Sequence, residues 1–141
     1  MNSRVLDNIS VEQRSWVMSR IRGKDTKPEM KLRRHLHALG FRYSLHAGGL
    51  PGKPDLCLRK WRTLIFVHGC FWHRHEGCKL AGMPKSNVEF WKEKFRRTLE
   101  RDKVNLGKLR ALGWRVIIVW ECELDERLAS LPEEIKSGAL A

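Results

Sequence analysis

The sequence has no long apolar segment. None of its hydrophobic runs approaches the roughly 20 residues that a bilayer-spanning helix requires, and residues 1–10 lack the apolar stretch of a signal peptide. Linkers, internal repeats and low-complexity tracts are also missing, and 141 residues is the size of one compact unit. We therefore expect a single cytoplasmic domain that is not an integral membrane protein.

Acidic residues are scarce relative to basic ones. Lys and Arg number 28 against 16 Asp and Glu, which gives a net charge of +12. Residues 1–110 contain 25 basic and 10 acidic side chains, whereas residues 111–141 contain 3 and 6. With 42% hydrophobic residues and six Trp the chain is not a disordered basic tail. A polyanion is the expected partner, and a generally basic surface or adhesion to an anionic membrane is the alternative.

Capping and turn signals predict the order α-α-β-β-β-α-β-α. A Ser-x-x-Gln capping box predicts a helix over 11–22, and Thr26 with Pro28 begins a second helix that ends at Gly40. Further elements are expected as strands at 42–46, 55–58, 63–67 and 114–120, a long helix from the capping box at 86–89 to Leu112, and a final helix from about Leu124. We expect Leu32, Leu36 and Leu39 on one face of the second helix, and 114–120 as a central strand. The order is typical of an α/β fold with a mixed sheet covered by helices.

The four cysteines are more typical of metal ligands or buried thiols than of disulfides in a cytosolic chain. Cys70, His75 and Cys78 lie in one loop, and Cys122 follows a strand that could return beside it. Three thiolates and one imidazole are the ligands of a closed structural zinc site. The alternative is a set of scattered buried cysteines with an incidental His. Cys57 is expected to be a small buried hydrophobic residue in either case.

Asp55 stands at the start of one predicted strand, and His68 follows the strand that pairs with it. A carboxylate on a rigid strand edge is a suitable anchor for Mg²⁺ beside a phosphate. His68 and His73 could then position the scissile phosphate and activate water. Taken alone, Asp55 could equally be a turn residue.

Large aromatic side chains accompany this loop. Phe71 and Trp72 lie inside it, and Trp91 is near the start of the long helix. Such side chains on a basic surface can insert between base pairs. Packing is the alternative, and it is the role we expect for Phe90, Phe95 and Trp114.

The string VHGCFWHRHEGC at 67–78 resembles the very short patch repair (Vsr) mismatch endonucleases. Supporting segments occur in the order of that family, at 22–29, 50–55, 89–91, 100–102 and 113–122. The resemblance extends from about Arg14 to Leu124. It implies a restriction-endonuclease-like α/β fold with an N-terminal helical arm (about 1–23), a catalytic core (about 24–128) and a C-terminal helix or tail.

The resemblance also implies the roles of individual residues. Asp55 and the backbone carbonyl of Val67 would bind Mg²⁺, which Glu29 would reach through water. His73 would be the general base, oriented by Asp102, and His68 would contact the phosphate. Structural zinc would be held by Cys70, His75, Cys78 and Cys122, and DNA would be contacted by Phe71, Trp72 and Trp91 from the major groove and by the first helix, with Met18, Arg22 and Lys24, from the minor-groove side.

The implied activity is Mg²⁺-dependent nicking of one DNA strand, 5′ of the thymine in T:G mismatches that arise when 5-methylcytosine deaminates. The partner would be double-stranded DNA containing that mismatch, bound by a monomer at the bacterial nucleoid. Two alternatives are a restriction-type nuclease of the same fold that cuts undamaged sites and a zinc-stabilised DNA-binding module without catalysis. Asp55, His73 and Asp102 argue against the second, because phosphate contact alone needs no carboxylates in a basic groove.

Overall fold

The computed structural model describes residues 26–138, which form three α-helices and four strands. The helices are α1 (Lys27–Ala38), α2 (Val88–Ala111) and α3 (Leu124–Gly138). The strands are β1 (Ser44–Leu45), β2 (Leu56–Leu58), β3 (Thr63–His68) and β4 (Arg115–Trp120). The helix predicted at 11–22, and with it Met18, Arg22 and Lys24, lies outside the described residues. Within them the predicted element order is confirmed.

The four strands form one mixed sheet in the order β1-β2-β3-β4. β1 pairs with β2, and β2 with β3, in antiparallel fashion, whereas β3 and β4 are parallel from Thr63 opposite Arg115 to His68 opposite Trp120. The parallel pair requires a crossover, and α2 supplies it. Consequently the loops that follow β3 and β4 leave the sheet at the same edge.

Side chains alternate between the two faces of the sheet, and helices cover both. Ile65 and Ile117 point to the face covered by α1 and α3, where the larger apolar cluster lies. Leu64 and Phe66 point to the opposite face, where Leu109 of α2 packs against them. The α1 side of the core is completed by Leu32, Leu36, Leu56, Leu58, Val119, Leu131 and Ile135.

Helix α1 begins as predicted, because the Thr26 hydroxyl accepts a hydrogen bond from the Glu29 N–H at 3.4 Å. Leu32 and Leu36 are buried, but Leu39, which was predicted on the same face, is 54% exposed. Leu39 is already the C-cap residue, and the chain turns away through Gly40 at φ +95°. The following strand is shorter than predicted, because His46 at φ +47° leaves the extended conformation.

Two further expectations about α2 and β4 are corrected. The N-cap of α2 is Asn87 in the left-handed conformation, one residue after the Ser86 with which the predicted capping box begins. β4 lies at an edge of the sheet among the described strands, although its composition predicted a central strand. Its apolar residues are explained by helices on both of its faces.

No helix within residues 26–138 is long and apolar enough to cross a bilayer.

Candidate active site

The topology brings the sequence-predicted residues to one edge of the sheet, namely the edge at which β3 and β4 end rather than the edge that β4 itself forms. His68 and Trp120 are opposite each other at the ends of β3 and β4, so Cys70 and Cys122 each follow two residues later. Because β2 is antiparallel to β3, Asp55 at the start of β2 lies beside Val67 near the end of β3. Asp102 reaches the same edge from α2.

Cys70, His75, Cys78 and Cys122 lie together, with one ligand atom of each within 4.8 Å of the others. The Nδ1 of His75 is 3.6 Å from the Sγ of Cys70 and 3.3 Å from that of Cys122. Zinc bond lengths near 2.1 Å to nitrogen and 2.3 Å to sulfur place tetrahedral ligands about 3.6 Å apart. The arrangement therefore fits a tetrahedral metal ion held by the loop at 69–82, which we call the Cys–His loop.

The thiols of this cluster differ in their acidity. Burial raises the pKa of Cys70 to about 12, whereas the backbone N–H of Leu80 lowers the pKa of Cys78 to about 7. A coordinating metal ion deprotonates its thiol ligands outright. The His75 ring stacks on Trp120 with ring centroids 4.2 Å apart, which fixes its orientation.

Asp55 and Glu29 form a second group beneath the cleft. The Oδ2 of Asp55 accepts a hydrogen bond from the Val67 N–H at 2.7 Å, which fixes the carboxylate at the strand edge. Burial raises the pKa of Asp55 from 3.8 to about 6; the Val67 N–H opposes this effect, and the nearby Glu29 carboxylate adds to it. Two carboxylates in contact favour a bound cation, because a cation removes their mutual repulsion.

Two residues that the sequence reasoning missed support Glu29. His46 Nε2 lies 2.8 Å from Glu29 Oε2, and Arg33 Nη1 donates to the same oxygen at 3.2 Å. The Arg33 contact follows from i, i+4 spacing on α1. His46 carried no comparable local signal, because its approach depends on the turn after β1.

His73 and Asp102 form a hydrogen-bonded pair, as the family resemblance implied. The Nδ1 of His73 is 2.6 Å from the Oδ2 of Asp102. This bond assigns the proton to Nδ1 and makes Nε2 the ring nitrogen that can accept a proton. The geometry is that of a general base with an orienting carboxylate.

His68 lies directly against this pair. Its ring stacks on that of His73 with centroids 3.7 Å apart and planes within 7°. Burial lowers the pKa of His68 to about 3, and the adjacent His73 adds to this effect. His68 is therefore neutral at pH 7 in the DNA-free protein, so it offers a dipole to a phosphate there, rather than a full charge.

These groups share one cleft of about 870 Å³ between the sheet edge and α2. Asp55, His68, His73 and Asp102 line it, and so does Trp72. Basic side chains also line it, namely Lys27, Lys53, Lys94 and Arg101. A phosphate backbone drawn to these cations would lie over the carboxylates and histidines.

The three aromatic candidates have different surroundings. Trp72 and Phe71 both line the cleft, but Trp72 is half-buried, whereas Phe71 is 6% and Trp91 0% exposed. Phe71 meets the edges of both Trp72 and Trp91. Trp72 is therefore the most exposed of the three rings, and contact of Phe71 and Trp91 with DNA stays a prediction. Phe90 is 46% exposed, against the packing role predicted for it, because it lies on the outer side of α2; Phe95 is buried as predicted.

Comparison with known proteins decides the family. The family model for the DNA mismatch endonuclease Vsr matches residues 6–80. The DNA mismatch endonuclease Vsr of Escherichia coli is 43% identical over 114 residues, which are 81% of this chain and 72% of that protein. This chain belongs to the Vsr family. The type II nicking enzyme V.NmeAIP of Neisseria meningitidis is 45% identical over 138 residues, 94% of this chain and 98% of the relative. V.XorIIP of Xanthomonas oryzae, another type II nicking enzyme, is 43% identical over 120 residues, 85% of this chain and 88% of the relative.

Membership in the Vsr family makes this protein a hydrolase that nicks DNA at mismatches. The predicted reaction class is confirmed, and the alternative of a DNA-binding module without catalysis is wrong. The family implies a divalent metal, and residues 26–138 contain three groups of side chains that could hold one: the four ligands of the Cys–His cluster, Glu29 with His46 and Asp55, and His68 with His73 and Asp102.

Proposed function

We propose that this Vsr enzyme nicks duplex DNA 5′ of the thymine in T:G mismatches, with Mg²⁺ at the Asp55 edge and zinc in the Cys–His loop. The observation that carries the proposal is the His73–Asp102 pair in the same cleft as Asp55. A base for water and an anchor for a metal on one sheet edge are the two requirements of metal-assisted phosphodiester hydrolysis.

Asp55 and the carbonyl of Val67 would hold the magnesium ion, with Glu29 acting through water. Mg²⁺ prefers oxygen ligands, keeps several waters and uses one or two carboxylates. When bound, the ion neutralises charge on the scissile phosphate. The residues present fit this requirement, because Asp55 is held by the Val67 N–H while its carboxylate remains at the cleft wall.

His73 would remove the proton from the attacking water. Asp102 holds the imidazole by its Nδ1 and stabilises the imidazolium that forms. The neutral ring of His68 at 3.7 Å is compatible with that charge, since two stacked imidazolium rings would repel each other. His68 would donate its N–H to the phosphate.

Cys70, His75, Cys78 and Cys122 would hold a structural zinc ion. The Cys–His loop has two apolar anchors, Cys70 and Phe71, that are fully or nearly buried. A zinc ion joining this loop to Cys122 would fix the backbone on either side of His73. The zinc site would therefore act on catalysis through the position of the general base.

Trp72 would enter the duplex from the major groove, supported by Phe71 and Trp91. A mismatched step costs less to open than a paired one, so an inserted ring selects mismatches by deformability as well as by contact. Met18, Arg22 and Lys24 would contact the minor-groove side. The reactive groups lie in one cleft of a single chain, which supports action as a monomer. The mixed four-stranded sheet supports the restriction-endonuclease-like fold.

The proposal is tested with end-labelled duplexes that differ at one pair, either T:G, C:G or T:A, with Mg²⁺ or with EDTA. We expect a nick only in the thymine strand of the T:G duplex, and only when Mg²⁺ is present. Equal cutting of the C:G duplex would instead support a restriction-type enzyme for undamaged sites. Retention of nicking in EDTA would contradict the magnesium assignment.

A further inference from the structure

Arg74 separates the proposed general base from a proposed zinc ligand. It stands between His73 and His75, and its backbone takes the left-handed conformation at φ +54°. A non-glycine residue is uncommon there and costs about 1–2 kcal/mol, so the surrounding contacts must hold it in place. The side chain of Arg74 supplies such contacts.

The guanidinium of Arg74 donates to carbonyl oxygens at both ends of the Cys–His loop. Nη1 lies 3.2 Å from the oxygen of Phe71 and 3.5 Å from that of Gly82, and Nη2 lies 2.5 Å from that of Ala81. Burial lowers the pKa of this side chain. The planar fork of arginine can serve several carbonyls in fixed directions, which the single ammonium of lysine cannot reproduce.

The same guanidinium lies against the aromatic cluster below Trp72. Its central carbon is 4.0 Å from the ring centroid of Phe95 and 5.7 Å from that of Phe71. Phe71 in turn meets the edge of Trp72 at a centroid distance of 5.1 Å. Arg74 thus joins the loop backbone to α2 through Phe95, and to Trp72 through Phe71.

We propose that Arg74 is a positioning residue that sets both the inserted ring of Trp72 and the general base His73. The inference rests on the proposed function of these two residues and assigns no contact between Arg74 and DNA. A loop without the arginine fork would keep its zinc ligands but lose the register between Trp72, His73 and α2. Misplacement by about 1 Å can cost about 100-fold in rate.

The test compares Arg74→Lys and Arg74→Met with the wild type in zinc-loaded, full-length protein. Arg127→Lys is the matched control, since Arg127 pairs with Glu134 on α3, across the sheet from the cleft. Single-turnover nicking of a T:G duplex measures the rate, and 2-aminopurine beside the mismatch, without Mg²⁺, measures unstacking. Zinc content, thermal midpoint and affinity for matched duplex are measured on the same samples.

We expect both Arg74 variants to nick about 100-fold more slowly and to lose most of the 2-aminopurine signal. Zinc content should stay at the wild-type level, and Arg74→Lys should bind matched DNA within about threefold, because its charge is kept. Rates like that of Arg127→Lys, or loss of zinc in proportion to loss of rate, would overturn the inference.

Trp72→Ala separates this inference from the proposed function. If that variant loses the unstacking signal and Arg74→Lys does not, the inference is wrong and the inserted ring stands. If Trp72→Ala keeps the signal, the inserted ring is wrong. The rate of Arg74→Lys then decides whether Arg74 positions His73.

Discussion

Replacing Asp55 by asparagine should stabilise the magnesium-free protein and abolish nicking. Asparagine keeps an oxygen that can accept from the Val67 N–H, but removes a half-buried charge beside Glu29. The pKa of Asp55 rises from 3.8 to about 6 on folding, and a shift of about two units corresponds to about 3 kcal/mol. Since part of this cost relaxes locally, we expect Asp55→Asn to gain about 1–3 kcal/mol, or about 3–10 °C in thermal midpoint.

The sign of this effect depends on pH. The folded protein binds the Asp55 proton more tightly than the unfolded chain does, so the wild type loses stability as pH rises from about 4 to about 6. Below this window Asp55 is protonated in both states and the substitution should change little. Above it the advantage of Asp55→Asn should be constant.

Urea unfolding at a series of pH values from 4 to 7.5, with zinc-loaded protein and no magnesium, measures the difference. Asp125→Asn is a matched control on α3, where the side chain is 81% exposed, and should change stability by less than about 0.5 kcal/mol. Added Mg²⁺ should narrow the gap by stabilising the wild type only. An Asp55→Asn variant that is less stable than wild type at pH 7.5, or whose advantage does not grow between pH 4 and 6, would refute the reasoning.

Three further predictions concern groups around the cleft. Because burial lowers the pKa of His68 from 6.5 to about 3, the unfolded chain takes up this proton first and the wild type loses stability as pH falls below about 6.5. His68→Gln should remove up to about 1.4 kcal/mol per pH unit from that slope in urea unfolding, and equal slopes would contradict the burial argument. Cys122→Ser should lower zinc content and thermal midpoint together; a wild-type protein without zinc by elemental analysis would rule out the site. Gly52→Ala should cost about 1–2 kcal/mol by denaturant unfolding, because Gly52 has φ +77° and an added Cβ would lie 3.2 Å from the Cβ of Asn105; an unchanged midpoint would show that the turn can relax.

Much of the fold followed from local chemistry. The Thr26 cap, the apolar pairs of β2 and β3, and the stop of α2 before Gly113 are set by residues within a few positions of one another. What escaped prediction depends on distant packing. β4 has the composition of a central strand because helices cover both of its faces, and no local pattern shows that its second edge is free of a neighbouring strand in residues 26–138.

The candidate site was predictable where one strand register places its members. Asp55 and His68 lie at adjoining ends of paired strands, and Cys70 and Cys122 each follow the parallel pair by two residues. His46 and Arg74 could not be found in this way, because their partners are a helix carboxylate and loop carbonyls. The DNA role of Trp91 stays a prediction from the family likeness; its ring and that of Phe95, one turn later, stack on each other and are buried.

The two faces of the sheet contribute differently to stability and to catalysis. The face under α1 and α3 is a continuous apolar cluster, whereas the face toward α2 leads into the neutral buried His68 and the cleft with Asp55. The raised pKa of Asp55 costs stability at neutral pH, and the lowered pKa of His68 costs stability below about pH 6.5, so the apolar face must offset both. Truncating Ile117 should therefore lower the free energy of unfolding with little change in the nicking rate of the folded enzyme. Replacing Asp55 by asparagine should raise the free energy of unfolding and abolish nicking. Measured on both variants, the unfolding free energy should consequently fall for the Ile117 variant and rise for Asp55→Asn, whereas nicking should be lost in Asp55→Asn alone.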